Sequence, residues 1–395
     1  MGQRKEKRGR GASRNSIIII LLSKSSIVLF INRLLLTNFK NYRSEQLVFS
    51  ERLNCFVGQN GAGKTNLLDA IYYLCMCKSY FNTPDTSIAL HEEQVFRVEG
   101  HFQKQNTPEH IVAKVRVRKK KEIERNSIAY KKLSEHIGLL PVVMIAPDDT
   151  QLAMEGSEAR RKFIDNTICQ LDAQYLAHLI RYNKLLERRN ALLKQFGKSG
   201  SFNGELLSTY DSQLLAPSQY IYEKRKGVLS KLSPVFGRLY KQISEDRETA
   251  GFTYVSKLED RNLEDLLAQA REKDRILQRT TVGIHKDDIQ FSLDGHAVKR
   301  FASQGQLKSF VLSLKLAQYE LIRDELEVKP ILLLDDIFDK LDVSRVKSLL
   351  SLLTQNEFGQ IFITDTHVDR VEEILNSYSK DYKTIEIADG KALGS

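Results

Sequence analysis

The chain of 395 residues has no tryptophan, only four methionines and seven prolines, and just four cysteines. Four cysteines (Cys55, Cys75, Cys77 and Cys169) in a chain this long exclude a secreted disulfide scaffold. Cys75 and Cys77 form a lone C-x-C pair with no further Cys or His at ligand spacing, which excludes a zinc finger. Buried thiols in a reducing compartment are the expectation. Long apolar runs are missing too. The stretch Ile17–Leu22 ends after six residues at Ser23 and Lys24, far short of the ~20 needed to span a bilayer. No small-residue cleavage site follows it, so a signal peptide is not read here either.

An excess of acidic charge is also lacking. Lys and Arg number 60 against 50 Asp and Glu, a net +10. With 42% apolar and 28% charged residues the composition is that of a globular chain of two or three folded units. The excess is concentrated. Residues 1–30 carry seven basic residues against Glu6, a local +6, and residues 114–132 carry nine against Glu122 and Glu124, a local +7. The rest of the chain is therefore slightly acidic, at −3. Residues 1–27 are expected to be an extension outside the core, translated from upstream of the natural start.

Strand patterning begins at Ile27 and continues to Val57, where Leu53–Val57 is a short buried run that enters a Gly-bearing loop. From Asn66 to Cys77, Leu67, Leu68, Ile71, Leu74 and Cys75 fall at helical spacing. Residues 95–117 return to period two, with Lys114, Arg116 and Arg118 on the outer face, and bend through Lys119, Lys120 and Lys121. From Glu158 to about Tyr240 the pattern is helical and charged. The Gly/Ser-rich segment 197–204 splits it into an antiparallel arm, and Pro217 and Pro234 are expected to cap or kink its second half. Short strands then recur at Ile331–Leu334, Gln360–Thr364 and Tyr382–Ile387. One split α/β domain with a helical lobe inserted fits this order.

Gly58-Gln59-Asn60-Gly61-Ala62-Gly63-Lys64-Thr65 completes G-x-x-x-x-G-K-[ST] between a strand and a helix. Its glycines let several N–H groups turn inward around phosphate oxygens, and the helix opening at Asn66 points its positive end the same way. Lys64 supplies charge for the β- and γ-phosphates, and the Thr65 hydroxyl is a Mg²⁺ ligand. The strand Ile331–Leu334 delivers Asp335 and Asp336 at its C-terminal end, where a second Mg²⁺ anchor is required. Asp335 is the metal-side carboxylate and Asp336 the group that polarises the attacking water. Ser303 is a good N-cap ahead of an apolar helix, and Gly305 lets backbone N–H groups approach an anion.

With Phe301-Ala302-Ser303-Gln304-Gly305-Gln306-Leu307-Lys308 standing 32 residues before Asp335, the sequence resembles the ABC-type ATPases. Within them it is similar to the RecF family, relatives of SMC and Rad50 proteins. The stretches that carry this are Thr37–Arg43, Ala146–Asp149, Glu155–Asp165, Leu186–Asn190 and Gly283–Asp288, with Ile284 and Lys286 standing where the family usually has Pro and Arg. The resemblance implies an α/β fold: an ABC-type P-loop ATPase head of the Rad50/SMC kind, with an inserted, mostly helical lobe. The head would occupy residues 28–150 and 276–395 and the lobe 151–275. It further implies ATP and Mg²⁺ as cofactors, and a signature of Ser303, Gln304, Gly305, Gln306 and Lys308 that acts in trans on the γ-phosphate held by a second subunit. Asp342 would be its D-loop residue, and Thr364 and His367 its switch. No Q-loop glutamine stands out, and Pro147-Asp148 is the candidate region.

The implied activity is a slow, DNA-dependent ATP hydrolysis by a cytoplasmic homodimer that grips double-stranded DNA near single-strand gaps. It would promote recombinase loading with mediators of the RecR and RecO type, without a membrane partner. Asp335 follows Lys64 by 271 residues, enough for a modest lobe and too few for a long coiled coil. Candidate DNA contacts are Lys119, Lys120, Lys121, Arg160, Arg161, Arg188 and Arg189. Two other readings stay open: the ATP-hydrolysing subunit of a transporter, and a nucleotide-gated clamp with negligible catalysis.

Overall fold

The computed structural model describes residues 27–337, 343–355, 358–366 and 382–393. The head begins with β1 (Leu29–Phe39), β2 (Tyr42–Val48), β3 (Leu53–Val57) and α1 (Lys64–Met76). Then come β4 (Val95–Lys104), β5 (Thr107–Arg116), β6 (Glu122–Arg125), β7 (Ile128–Ala129) and β8 (Val142–Ile145). Helices follow: α2 (Gln151–Met154), α3 (Ser157–Leu171), α4 (Ala173–Ser199) and α5 (Gly204–Ser244). After β9 (Ala250–Val255) and α6 (Leu263–Leu277) stand β10 (Asp288–Leu293), β11 (His296–Ala297), α7 (Val298–Phe301) and α8 (Gln304–Leu326). The last elements are β12 (Ile331–Leu334), α9 (Val343–Gln355), β13 (Ile361–Asp365), β14 (Tyr382–Ala388) and β15 (Lys391–Leu393).

The central sheet runs β15-β14-β3-β13-β12-β8, and all its pairings are parallel except β15 on β14. Every residue of β3, β8, β12 and β13 is buried, which explains why β8 and β12 read as unbroken apolar runs and β3 and β13 as nearly so. Alternation is still present, but it sorts residues between two cores. Leu53, Cys55, Val57, Val143, Ile145, Leu332 and Leu334 face the core shared with α3, α5 and α8. Phe56, Val142, Met144, Ile331, Leu333 and Phe362 face the other, shared with α1 and an antiparallel sheet of order β2-β1-β4-β5-β6-β7. Because α1 lies between two sheets, it is buried on nearly all sides, as its apolar residues at adjacent positions require.

Helices α4 and α5 pack side by side as the arm, separated by a turn at Gly200, whose φ of 69° is left-handed. Pro217 and Pro234 both lie inside α5, which continues through them for 41 residues. Neither proline caps the helix, because the buried face of α5 from Leu207 to Ile243 holds it against α4, α8 and β9. A small sheet, β11-β10-β9, joins arm to head. Ile27, placed at the end of the expected extension, bridges Val328, its N–H donating to Glu327 O at 2.7 Å. Residues 1–26 lie outside the described residues. Among the described residues no helix is long and apolar enough to cross a membrane.

Candidate active site

The phosphate loop leaves β3 at Gly58 and enters α1 at Lys64, with Gly58, Gly61 and Gly63 at φ 151°, 83° and 117°. Two of these positions also exclude a side chain by contact. A Cβ on Gly58 would lie 2.1 Å from Ile387 O, and one on Gly63 within 2.9 Å of Asn41 and Tyr42 atoms. The Lys64 ammonium, almost wholly buried, donates to Gly58 O at 2.7 Å and Gln59 O at 3.0 Å. Residues on the β1–β2 turn hold the loop from outside. Asn41 Nδ2 donates to Ala62 O at 3.0 Å, Tyr42 OH to Gly63 O at 3.1 Å, and Asn66 Nδ2 to Asn41 Oδ1 at 2.8 Å. Asn41 and Tyr42 belong to the Thr37–Arg43 stretch. Their buttressing role was not readable because the loop they support lies some 20 residues further along.

Parallel pairing of β12 with β13, and of β13 with β3, brings three strand ends together beside this loop. Asp335 Oδ1 accepts from Thr65 Oγ1 at 2.8 Å and from Thr364 Oγ1 at 2.9 Å. Asp336 takes a left-handed φ of 42°, a strain of about 1–2 kcal/mol for a residue with a side chain. Its N–H donates to Thr364 Oγ1 at 2.8 Å, so a single hydroxyl connects both carboxylate-bearing residues. Burial pushes the Asp335 carboxyl above its usual range; the Thr65 and Thr364 hydroxyls oppose this, and the neighbouring Asp336 charge adds to it. The hard-oxygen pair of a half-buried Thr65 hydroxyl and a buried Asp335 carboxylate suits Mg²⁺, which takes few protein ligands and completes its shell with water and phosphate.

The signature begins α8. Ser303 Oγ accepts from Gln306 N at 3.3 Å, and Gln306 Oε1 accepts from Ser303 N at 2.6 Å, a reciprocal capping box. Gln306 also donates to Glu248 Oε1 at 2.7 Å. Ser303 and Gln304 are exposed, while Gly305 sits so close to Arg345 that a Cβ would approach its Nη1 to 2.4 Å. Lys308 lines a recess with Asp335 and Asp336 of its own chain, together with Pro147 and Thr150. Further along α8, buried Lys315 donates to Tyr80 OH at 2.7 Å and Met144 O at 3.2 Å, and lies 3.3 Å from Asp149. It ties the signature helix to the Pro147–Thr150 turn, and nothing in its apolar helical surroundings marked it. Asp342 and His367 lie outside the described residues.

The basic candidates divide. Lys119, Lys120 and Arg188 are exposed. Lys121 donates to Cys77 O at 2.8 Å and pairs with Asp85 at 2.9 Å, so it is committed within the chain. Arg160 forks onto Asp288 at 2.8 and 3.1 Å, and Arg161 donates to Asp287 O at 2.6 Å and Ser157 Oγ at 2.7 Å. Arg189 is wholly buried between Asp211 (2.6 Å) and Asp274 (2.7 Å) and offers no surface to DNA. Beside it Arg225 spans Asp165 at 2.9 Å and Asp287 at 3.2 Å and donates to Ile284 O at 2.8 Å. These family-like stretches therefore build a buried polar network. The outer face of β5 is also less basic than its sequence, since Lys114 pairs with Glu124 and Arg125 with Glu109.

A family model for the RecF/RecN/SMC N terminal domain matches residues 30–386. A protein from Flavobacterium johnsoniae described as DNA replication and repair protein RecF is 45% identical over 357 residues, covering 90% of this chain and 99% of that one. The chain belongs to the RecF family. A solved structure of the recombination mediator protein RecF-ATPrS matches with a TM-score of 0.83 at 28% identity, over 93% of this chain and 99% of that one. The Smc head domain of Pyrococcus furiosus, at 17% identity and TM-score 0.53 over 92% of this chain and 95% of that one, shares the fold. As a RecF-family member the chain is an ATP-binding, ABC-type ATPase of the SMC-head fold, and the transporter-subunit reading falls away.

Proposed function

We propose that this chain is a slow, DNA-dependent ATPase that pairs with a second copy on binding ATP, grips duplex DNA near single-strand gaps and promotes recombinase loading with RecR- and RecO-type mediators. The observation that supports it most is the shared hydroxyl of Thr364, which joins Asp335 and Asp336 beside the Thr65 end of the phosphate loop. Gly58–Asn66 cradle the phosphates and Lys64 neutralises the β- and γ-oxygens. Thr65 and Asp335 would hold Mg²⁺, which supplies charge neutralisation for the leaving phosphate. Asp336 orients and polarises the attacking water. Ser303 and Gln304, exposed at the start of α8, and the half-buried Gly305 would reach the γ-phosphate of the second copy, with Asp342 as D-loop residue and Thr364 and His367 as switch.

A site completed only by a second subunit turns over slowly, because assembly precedes chemistry. Lys119, Lys120 and Arg188 remain the DNA-contact candidates from the original set, with Arg116, Arg118, Lys131 and Lys132 exposed nearby or on the same segment. Light scattering of the full chain with a non-hydrolysable ATP analogue, with and without gapped duplex, tests this. Dimers that form only with nucleotide, and hydrolysis stimulated by duplex, are expected. A monomer at all nucleotide concentrations removes the trans arrangement.

A further inference from the structure

Away from the nucleotide, the outer face of the β4–β5 hairpin gathers three donors of a different chemical kind. The ladder sets His101 directly opposite His110, and Glu99 precedes His101 by two residues, so the pleat puts all three on one face. Glu99 Oε1 lies 2.8 Å from His110 Nε2 and 3.5 Å from His101 Nε2, and the three donor atoms all fall within 4.8 Å of one another. Ligands 2.0–2.2 Å from a tetrahedral ion stand roughly 3.3 Å apart, a value that the two Glu99–His distances bracket. The imidazoles are stacked, with centroids 4.4 Å apart and planes 13° from parallel.

The neighbours orient this set. Arg97 bonds the other carboxylate oxygen, Glu99 Oε2, which fixes the carboxylate and leaves Oε1 toward the histidines. All three side chains retain access to solvent.

We propose that Glu99, His101 and His110 form a binding site for a divalent transition-metal ion such as Zn²⁺ or Co²⁺, separate from the Mg²⁺ donors of the ATPase centre. Two imidazoles and one carboxylate favour these ions over Mg²⁺ and Ca²⁺. Three protein donors leave a fourth position for water. The ion would lock β4 to β5, the hairpin that leads into the exposed Lys119-Lys120 loop, and the adjacent Arg33 and Arg97 limit how tightly it is held.

The test is a Co²⁺ titration of the tag-free full chain in excess Mg²⁺, which occupies the hard-oxygen donors, read by visible d–d absorption and by calorimetry. Thiols do not compete in the folded chain. All four are buried, and burial pushes Cys55, Cys77 and Cys169 up to about 12. One equivalent of Co²⁺ with a low-symmetry spectrum is expected, displaced by Zn²⁺ and lost in His101→Ala/His110→Ala. A separate His110→Cys variant should keep the equivalent and add a thiolate-to-cobalt charge-transfer band. Because that variant retains a ligand, it reports on the site even if the double variant loses its fold. Binding equal in the wild type and a folded double variant, no Co²⁺ bound by the wild type, or no charge-transfer band with His110→Cys would each overturn the proposal.

Discussion

The end of the central sheet and the interior of the helical lobe use the same residue types to opposite ends. At the sheet end Asp335 and Asp336 stand side by side, one with its carboxyl pushed up by burial and accepting from the Thr65 and Thr364 hydroxyls, the other in a left-handed backbone with its N–H on the same Thr364 hydroxyl. In the lobe Asp165, Asp274 and Asp287 are matched to Arg225 and Arg189 across 60 or more residues of chain, and most remaining oxygens accept from Tyr175, Tyr254, Thr281 or a backbone N–H. The first arrangement gathers a carboxylate and hydroxyls whose oxygens suit a hard cation. The second answers its charge internally, which is how buried charge becomes tolerable. A charged residue in a family-like stretch therefore says little about role until its partner is known.

The contrast can be broken at several points. The largest expected effect is on chemistry: Asp336→Asn should lower ATP turnover about 10²- to 10⁴-fold, the range for a lost general base, with little change in denaturation midpoint. In the lobe Arg225→Met strands two buried aspartates and should cost about 3–5 kcal/mol of stability by urea titration, while the folded fraction keeps its ATP affinity. Tyr254→Phe, which removes one donor to Asp287, is the milder version, at about 1 kcal/mol.

His285 adds a pH signature to the same network. Burial lowers it to about 4, with Thr280 O and Tyr182 OH as its ring partners. A folded value below the unfolded ~6.5 means the unfolded chain binds more protons between the two. Its contribution is complete above pH ~6.5 and is lost as pH falls toward 4, up to about 3 kcal/mol. His285→Gln should flatten stability across that window, measured by urea midpoints in a pH series. A smaller effect, about 1 kcal/mol in ATP affinity, is expected for Asn41→Ala, which loses the bond to Ala62 O. The smallest sharpens the DNA side: Lys119→Ala/Lys120→Ala should reduce the salt slope of gapped-duplex binding by about two contacts' worth, whereas Lys121→Ala, already paired with Asp85, should change it less.

The parts of this architecture written locally were legible. Leu53–Val57 and Ile331–Leu334 are too apolar and too short for anything but buried strands, and the phosphate loop joins the first of them to α1 as the spacing required. The sheet β11-β10-β9 went unread because β9 is mostly half-exposed and β11 has two residues, so neither shows clean alternation. A helix end at Pro217 or Pro234 was one of the two readings open in the sequence, and tertiary packing carries α5 through both. Arg160, Arg161 and Arg189 looked like surface charge because their partners, Asp288, Asp287 and Asp274, lie 85 to 128 residues away. Periodicity carries burial, but it does not carry the identity of a distant counter-ion.

The most direct test measures duplex-stimulated ATP turnover and the urea midpoint together, on the wild type, Asp336→Asn and Arg225→Met. Asp336→Asn should lose at least about 10²-fold in rate at an unchanged midpoint, and Arg225→Met should lose midpoint while its folded fraction still binds ATP. Wild-type turnover by Asp336→Asn, with or without DNA, would contradict the assignment of hydrolysis to this end of the sheet.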